Sequence, residues 1–108
     1  MSKGTLVLIP FPFTDLSGHK VRPALVLYEQ KGGEDCIVAF ISSTAQKKIG
    51  IYDIAIAPSK ENGIKVNSVI KVAKIATLQK KIILGELGKI DEVTMIKVNS
   101  ILKDLFKL

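Results

Sequence analysis

The 108-residue chain has no tryptophan, one cysteine, one histidine and one arginine. A lone Cys36 cannot form an internal disulfide, and with one histidine it cannot build a zinc site. A secreted disulfide scaffold and a zinc finger are therefore excluded. Nothing near Cys36 in sequence would hold a thiolate, so it reads as a small buried hydrophobe. The Walker pattern G-x-x-x-x-G-K-[ST] is absent, which excludes that class of nucleotide-binding enzyme. No stretch is long enough for a membrane span: the uncharged run Gly4 to Thr14 is broken by Pro10 and Pro12, and a span needs about 18 apolar residues. Met-Ser-Lys-Gly-Thr leads straight into a strand-like segment with no signal-peptide pattern. The expected location is cytoplasmic, with no membrane contact.

What is present is globular in composition, with 47% hydrophobic and 24% charged residues. A chain of this length buries about two-thirds of its unfolded surface, so one domain over residues 1–108 is expected. Sixteen bases against ten acids give a net charge of +6. The excess is uneven. Residues 60–89 hold seven bases and two acids, whereas residues 1–59 hold six and five, and residues 90–108 three and three. Such a stretch is either an electrostatic footprint for an acidic partner or a lysine-rich solvated surface. Among the bases, Arg22 alone carries a planar fork that matches a phosphate.

Hydrophobic patterning divides the chain into short strands and one terminal helix. Thr5 to Ile9, Pro23 to Tyr28, Cys36 to Ser42, Ile51 to Ala57, Ser68 to Leu78 and Ile82 to Leu87 read as strands. Pro10-Phe11-Pro12-Phe13 is expected to end pairing of the first, because proline lacks the ladder donor. Thr14 to Val21 and Ser43 to Gly50 read as loops, Gly32-Gly33 as a hairpin turn, Pro58 to Lys65 as a turn, and Gln79-Lys80-Lys81 as a connection. Asp91 is a helix cap followed by the apolar positions Val93, Ile96, Ile101, Leu102 and Leu105, with Ile90 and Met95 spaced as a hydrophobic staple. The fold class is mainly β with a terminal α-helix, a small strongly curved sheet or barrel.

The segment Gly4 to Leu27, GTLVLIPFPFTDLSGHKVRPALVL, resembles the start of the PemK/MazF family of toxin ribonucleases. The family shows a G-D-I/V-V strand, a P-F-P-F-T-D element, a Gly/Ser loop and R-P-A/V-L-V. These occur here in order, with Thr5 where Asp is usual. Phe40-Ile41-Ser42-Ser43-Thr44 is similar to the family's I-T-S/T element, and Ser68-Val69-Ile70 through Lys74 to Leu78 to its third block. The resemblance implies an SH3-like barrel of the CcdB/PemK/MazF type, a homodimer, and metal-independent cleavage of single-stranded mRNA at a short sequence. It also implies a type II toxin–antitoxin role with a cognate antitoxin as partner, and no cofactor or metal.

RNA is cut without metal when its 2′-OH attacks the adjacent phosphorus, and rigid donors then lower the barrier by stabilising the extra negative charge. Arg22 is equipped for this, and Ser42 matches the family's catalytic Thr; both are candidate catalytic residues. Ser43 is the alternative hydroxyl, and either serine could instead bond only to backbone. Candidate RNA contacts are Phe13, Ser17, His19, Lys20, Ser43, Gln46 and Lys74. Phe13 would stack on a base or pack in the core. His19 titrates near neutrality but lies in a loop where the resemblance requires no histidine. Lys74 stands near where related toxins place an acid or Gln; Lys71 reads as a residue of the solvated strand face. Two other readings stay open: a CcdB-like gyrase-binding toxin acting through Phe106-Lys107-Leu108, and a degenerate member that binds RNA or antitoxin without cutting.

Overall fold

A computed structural model describes residues 1–11, 20–43 and 48–108. Six strands form one sheet in the order β4-β5-β3-β2-β1-β6, every neighbouring pair antiparallel. They are β1 (Thr5–Phe11), β2 (Lys20–Glu29), β3 (Asp35–Ser42), β4 (Asp53–Ile56), β5 (Ser68–Gln79) and β6 (Gly85–Lys89), followed by helix α1 (Glu92–Phe106). The sheet curls into a half-barrel, the expected architecture. Irregular pairing at Leu6/Val7, Val26/Tyr28 and Ala39/Phe40 supplies bends, because an extra residue in one strand sharpens its local twist.

The central strands are buried on both faces, which is why they read as continuous apolar runs. One face carries Leu6, Leu25, Ala39, Ile41, Ile70 and Val72 and packs against Val98 of α1. The other carries Val7, Ile9, Ala24, Val26, Cys36 and Val38. Cys36 is fully covered, and its burial pushes the thiol above its ordinary value, as expected of an inert core residue.

Helix α1 starts where Asp91 accepts the Thr94 N–H at 2.7 Å, and ends on Lys107 in the left-handed region at φ 60°. Ile90 and Met95 pack on the same core cluster, consistent with the staple. The buried stripe is Met95, Val98, Ile101 and Leu102. Val93 and Ile96, expected on the apolar face, are instead 63% and 67% exposed. At about 100° per residue, both point away from the middle of the stripe formed by Met95, Val98, Ile101 and Leu102, so they turn to solvent.

Four strands, β1, β2, β4 and β6, are bounded differently from the sequence reading. β1 runs through Pro10, whose register partner is Val21, to Phe11 opposite Lys20. β6 accompanies β1 only over Thr5 to Leu8, so among the described residues β1 has a single neighbour at Pro10 and the missing donor breaks no second ladder there. Lys20 and Val21 consequently belong to β2 and not to a loop. β4 is confined to Asp53–Ile56, and Ile51 is 83% exposed before it. The last strand begins at Gly85, because Lys80–Ile82 close a 3-10 turn first. The Gly32-Gly33 hairpin is as read: Gly32 adopts φ 72° and the Gln30 N–H donates to Asp35 O at 3.0 Å.

The two sheet edges, β4 and β6, are joined by the turn between β4 and β5. Asn62 organises it. Its side-chain oxygen accepts from the Ser59 and Ile64 N–H groups at 3.0 and 2.8 Å, and its amide donates to Ala57 O at 2.9 Å. From this turn Glu61 O accepts the Lys89 N–H at the end of β6, at 2.9 Å.

Candidate active site

The ends of β2 and β3 that lead into the two long loops stand side by side. Ala24 pairs with Phe40, and two residues further along each strand in that register stand Arg22 and Ser42. Side chains alternate across a strand, so Arg22, Ala24, Phe40 and Ser42 share one face. Phe40 in turn pairs with Lys71 of β5, and Lys71 with Asp53 of β4. A row of functional side chains thus crosses four strands.

Arg22, Pro23, Phe40, Ile41, Ser42, Lys71 and Lys74 line a shallow pocket of about 260 Å³ on this row. Lys71 and Lys74 are three apart, a spacing that puts side chains on opposite faces of a regular strand. Here the pairing slips between Ala39↔Ile75 and Phe40↔Lys71, so β5 carries extra residues opposite one step of β3. That irregularity re-phases the strand and turns both ammonium groups to the pocket. Val72, between them, is fully buried in the core against α1.

Electrostatics in the pocket are one-sided. Its described lining has three cations and no carboxylate. Among the described residues, the ion pairs are Met1–Glu86, Lys80–Glu29 and Lys71–Asp53, so Arg22 and Lys74 have no acid within ion-pair distance. Lys71 Nζ donates to Asp53 Oδ2 at 3.0 Å, and the Gly50 N–H donates to the same oxygen at 2.9 Å. Burial alone would raise the Asp53 carboxyl. The Gly50 and Lys71 hydrogen bonds and the nearby charges of Lys71 and Lys74 outweigh it, and the group is held below its ordinary value.

A carboxyl whose pKa is lower in the folded than in the unfolded chain stabilises the fold above the ordinary carboxylate range. That contribution disappears as pH falls through the lowered value. Urea unfolding from neutral to acid pH is therefore expected to show a loss of stability on the acid side that is smaller in Asp53→Asn. Equal acid slopes for the two proteins would remove the pair from the account.

The catalytic candidates Arg22 and Ser42 thus come together, with Lys74 beside them. Lys20 is exposed at the outer start of β2, and Ser43 is exposed just past the end of β3; neither lines the pocket. Phe13, Ser17, His19 and Gln46 lie outside the described residues, as do residues 14–19 and 44–47 of the two segments read as loops. Lys71 and Asp53 are the residues that sequence reading missed. Asp53 is the one charge in the alternating run Ile51 to Ala57, a signal that a buried or paired acid sits on that strand.

Fold and site together define a small half-barrel toxin fold with a basic pocket built on one arginine and a strand-end hydroxyl. The chain belongs to the family described as PemK-like, MazF-like toxin of type II toxin–antitoxin system, whose sequence pattern matches residues 2–106. Solved structures share the fold. An endoribonuclease in complex with its cognate antitoxin, from Mycobacterial species, superposes with a TM-score of 0.78 at 18% identity, covering 100% of this chain and 96% of that one. MazF from Deinococcus radiodurans gives 0.76 at 18% identity, covering 100% and 97%. MazE–MazF from the same organism gives 0.79 at 18% identity, covering 100% and 96%. No curated protein matches the sequence.

Proposed function

We propose that this toxin is an endoribonuclease that cleaves single-stranded mRNA at a short sequence without a metal ion. The observation that carries the reading is the pocket itself: the only guanidinium of the chain and a strand-end hydroxyl share it with two lysines. The family membership and the endoribonucleases of the same fold support it.

In this reading the 2′-OH attacks the neighbouring phosphorus and the P–O5′ bond breaks, leaving a 2′,3′-cyclic phosphate and a 5′-hydroxyl. The pentacoordinate state gathers negative charge on its non-bridging oxygens. Arg22 meets that charge with two parallel N–H donors. It does not act as a base, because a guanidinium has no acceptor and stays charged. It hydrogen-bonds the departing 5′-oxygen as charge builds there, while the proton that the 2′-OH gives up to water is returned by water to that oxygen. The Ser42 hydroxyl donates to a phosphoryl oxygen or orients the 2′-OH. Lys74 adds a mobile charge at the rim where a flanking nucleotide lies, and Lys20 and Ser43 flank the path of the strand. Of the loop candidates, Phe13 would stack on a base, and Ser17, His19 and Gln46 would contact RNA.

Purified protein is expected to cut single-stranded RNA in EDTA and to leave 5′-hydroxyl ends. Cleavage that depends on added metal overturns the mechanism, and salt-sensitive binding without products identifies a non-cutting member. Ser42→Ala is expected to lower kcat/KM by about 10- to 100-fold, the range of one hydrogen bond to a charged group. Ser42→Thr keeps the hydroxyl and should keep the activity. If Ser42→Ala is silent and Ser43→Ala is not, the working hydroxyl is Ser43.

The partners follow from the same reading. Folds of this type occur bound to antitoxins, and an acidic antitoxin segment would block the pocket by pairing with its cations. The chain would act in the cytoplasm as a homodimer; among the described residues no helix is long and apolar enough to cross a membrane. Phe106 and Leu108, 58% and 85% exposed at the end of α1, are what a gyrase-binding toxin would use. Growth arrest that requires gyrase and leaves RNA intact would favour that alternative.

A further inference from the structure

Lys71 differs from the other cations of the pocket in having an acid at hand. Its ammonium lies between Asp53 on one side and the pocket on the other, since the strand order runs β4, β5, β3, β2 with Asp53, Lys71, Phe40 and Ala24 in register across it. Asp53 is fixed from behind. It accepts from the Gly50 N–H at 2.9 Å, and its own N–H donates to Gly50 O at 3.2 Å. The carboxylate side chain is only 14% exposed, the ammonium side chain 30%. The open half of this pair is therefore the cation. An ammonium has three donors, and the bond to Asp53 uses one, so others remain for a ligand in the pocket.

We propose that the Asp53–Lys71 pair tunes the cleft's affinity for RNA: Lys71 holds a backbone phosphate next to the one gripped by Arg22, and Asp53 tempers that grip as a built-in counter-charge. The proposal rests on the ribonuclease reading of the pocket. Lys71 is a point charge on a flexible stem, so it senses phosphate and not base identity. Its contribution is then the same for every RNA sequence, as phosphate contacts position a strand without specifying it. The arrangement also gives Asp53 a reason to be where it is. A third unpaired cation beside Arg22 and Lys74 would hold any polyanion, whereas a partly neutralised one favours a strand that also satisfies the arginine.

The test measures binding of two unrelated 2′-fluoro single strands, which lack the attacking hydroxyl, between about 50 and 200 mM salt. Lys71→Met is expected to weaken both strands about tenfold. It should also flatten the slope of log affinity against log salt by about 0.7, the share of one single-strand phosphate. Asp53→Asn keeps an oxygen for the Gly50 N–H, so the loop end stays anchored. It should tighten both strands severalfold, and Lys71→Met should cost more in that background than in the wild type. Unchanged affinity and slope in Lys71→Met overturns the proposal. So does weaker binding by Asp53→Asn in a protein that melts like the wild type, since Asp53 would then be an RNA contact and not a counter-charge. A wild-type chain that neither binds nor cuts single-stranded RNA refutes the ribonuclease reading itself; a wild type that cuts, with Lys71→Met binding normally, refutes only the role of the pair.

Discussion

Arg22→Ala is expected to lower the rate of RNA cleavage by about 10³-fold or more while the protein folds normally. Losing one preorganised donor to a developing oxyanion typically costs about 10²–10³ in rate, and the guanidinium supplies two donors together with a full charge. No other residue can substitute. The remaining fifteen bases are all lysines, and Lys71 is engaged with Asp53. Arg22→Lys restores the charge without the planar fork and should recover only part of the loss. The fold is insulated from the change. The backbone of Arg22 is held in the β1–β2 ladder opposite Ile9, and among the described residues no acid pairs with its side chain. Circular dichroism and thermal melting of Arg22→Ala should match the wild type, and the measured quantity is single-turnover cleavage of single-stranded RNA in EDTA. Cleavage within tenfold of the wild type would mean that the charge on the transition state is met elsewhere, and the mechanism would have to be abandoned.

The parts of this site legible in the sequence are those whose chemistry is rare. Arg22 stands out because it is alone of its kind and precedes Pro23, and Ser42 because it ends an apolar strand. Their adjacency is not local information, since it follows from the register of β2 on β3. Lys71 and Lys74 show the limit of periodicity. A period of two assigns them to opposite faces, and only the slip in pairing between Ala39 and Phe40 brings them together. Asp53 is further still from sequence logic, because its partner is eighteen residues away on the neighbouring strand. The core was easier to read, since strands buried on both faces are continuous apolar runs. The boundaries were harder. Proline at position 10 signals a strand end only if both sides of the strand are paired, and whether β6 reaches that far is decided by tertiary structure. Val93 and Ile96 fit an apolar periodicity but not the phase set by Met95 and Val98, because the sheet leaves room for one stripe.

The largest stability effect is expected at the closure between the sheet edges, and Gly88→Ala isolates it. A Cβ at Gly88 would fall on the carbonyl oxygen of Glu61 and on the backbone of Asn62. Neither is the end of a flexible side chain. Glu61 O is itself bonded to the Lys89 N–H, and Asn62 is held by hydrogen bonds to Ser59, Ile64 and Ala57. The turn cannot retreat without giving those up. Forcing a methyl into such a contact costs about 1–3 kcal/mol; with the turn bonds also strained, the upper end is expected. For a domain of this size that is a fall in melting temperature of about 10–15 °C. Gly85→Ala is the internal control. It lies in the same strand with nothing within 4 Å of the added methyl and no positive φ, so it should be neutral or slightly stabilising through the unfolded chain. The two variants differ only in what the methyl meets, and equal melting temperatures would show that the 57–64 turn does not brace β6. The consequence reaches the active site. The turn leaves β4 directly, and β4 carries Asp53 to Lys71, so loosening the closure should free that lysine from its counter-charge before it unfolds the barrel. Gly88→Ala assayed well below its melting temperature is therefore expected to bind RNA more tightly, in the direction of Asp53→Asn, while Gly85→Ala keeps the wild-type affinity.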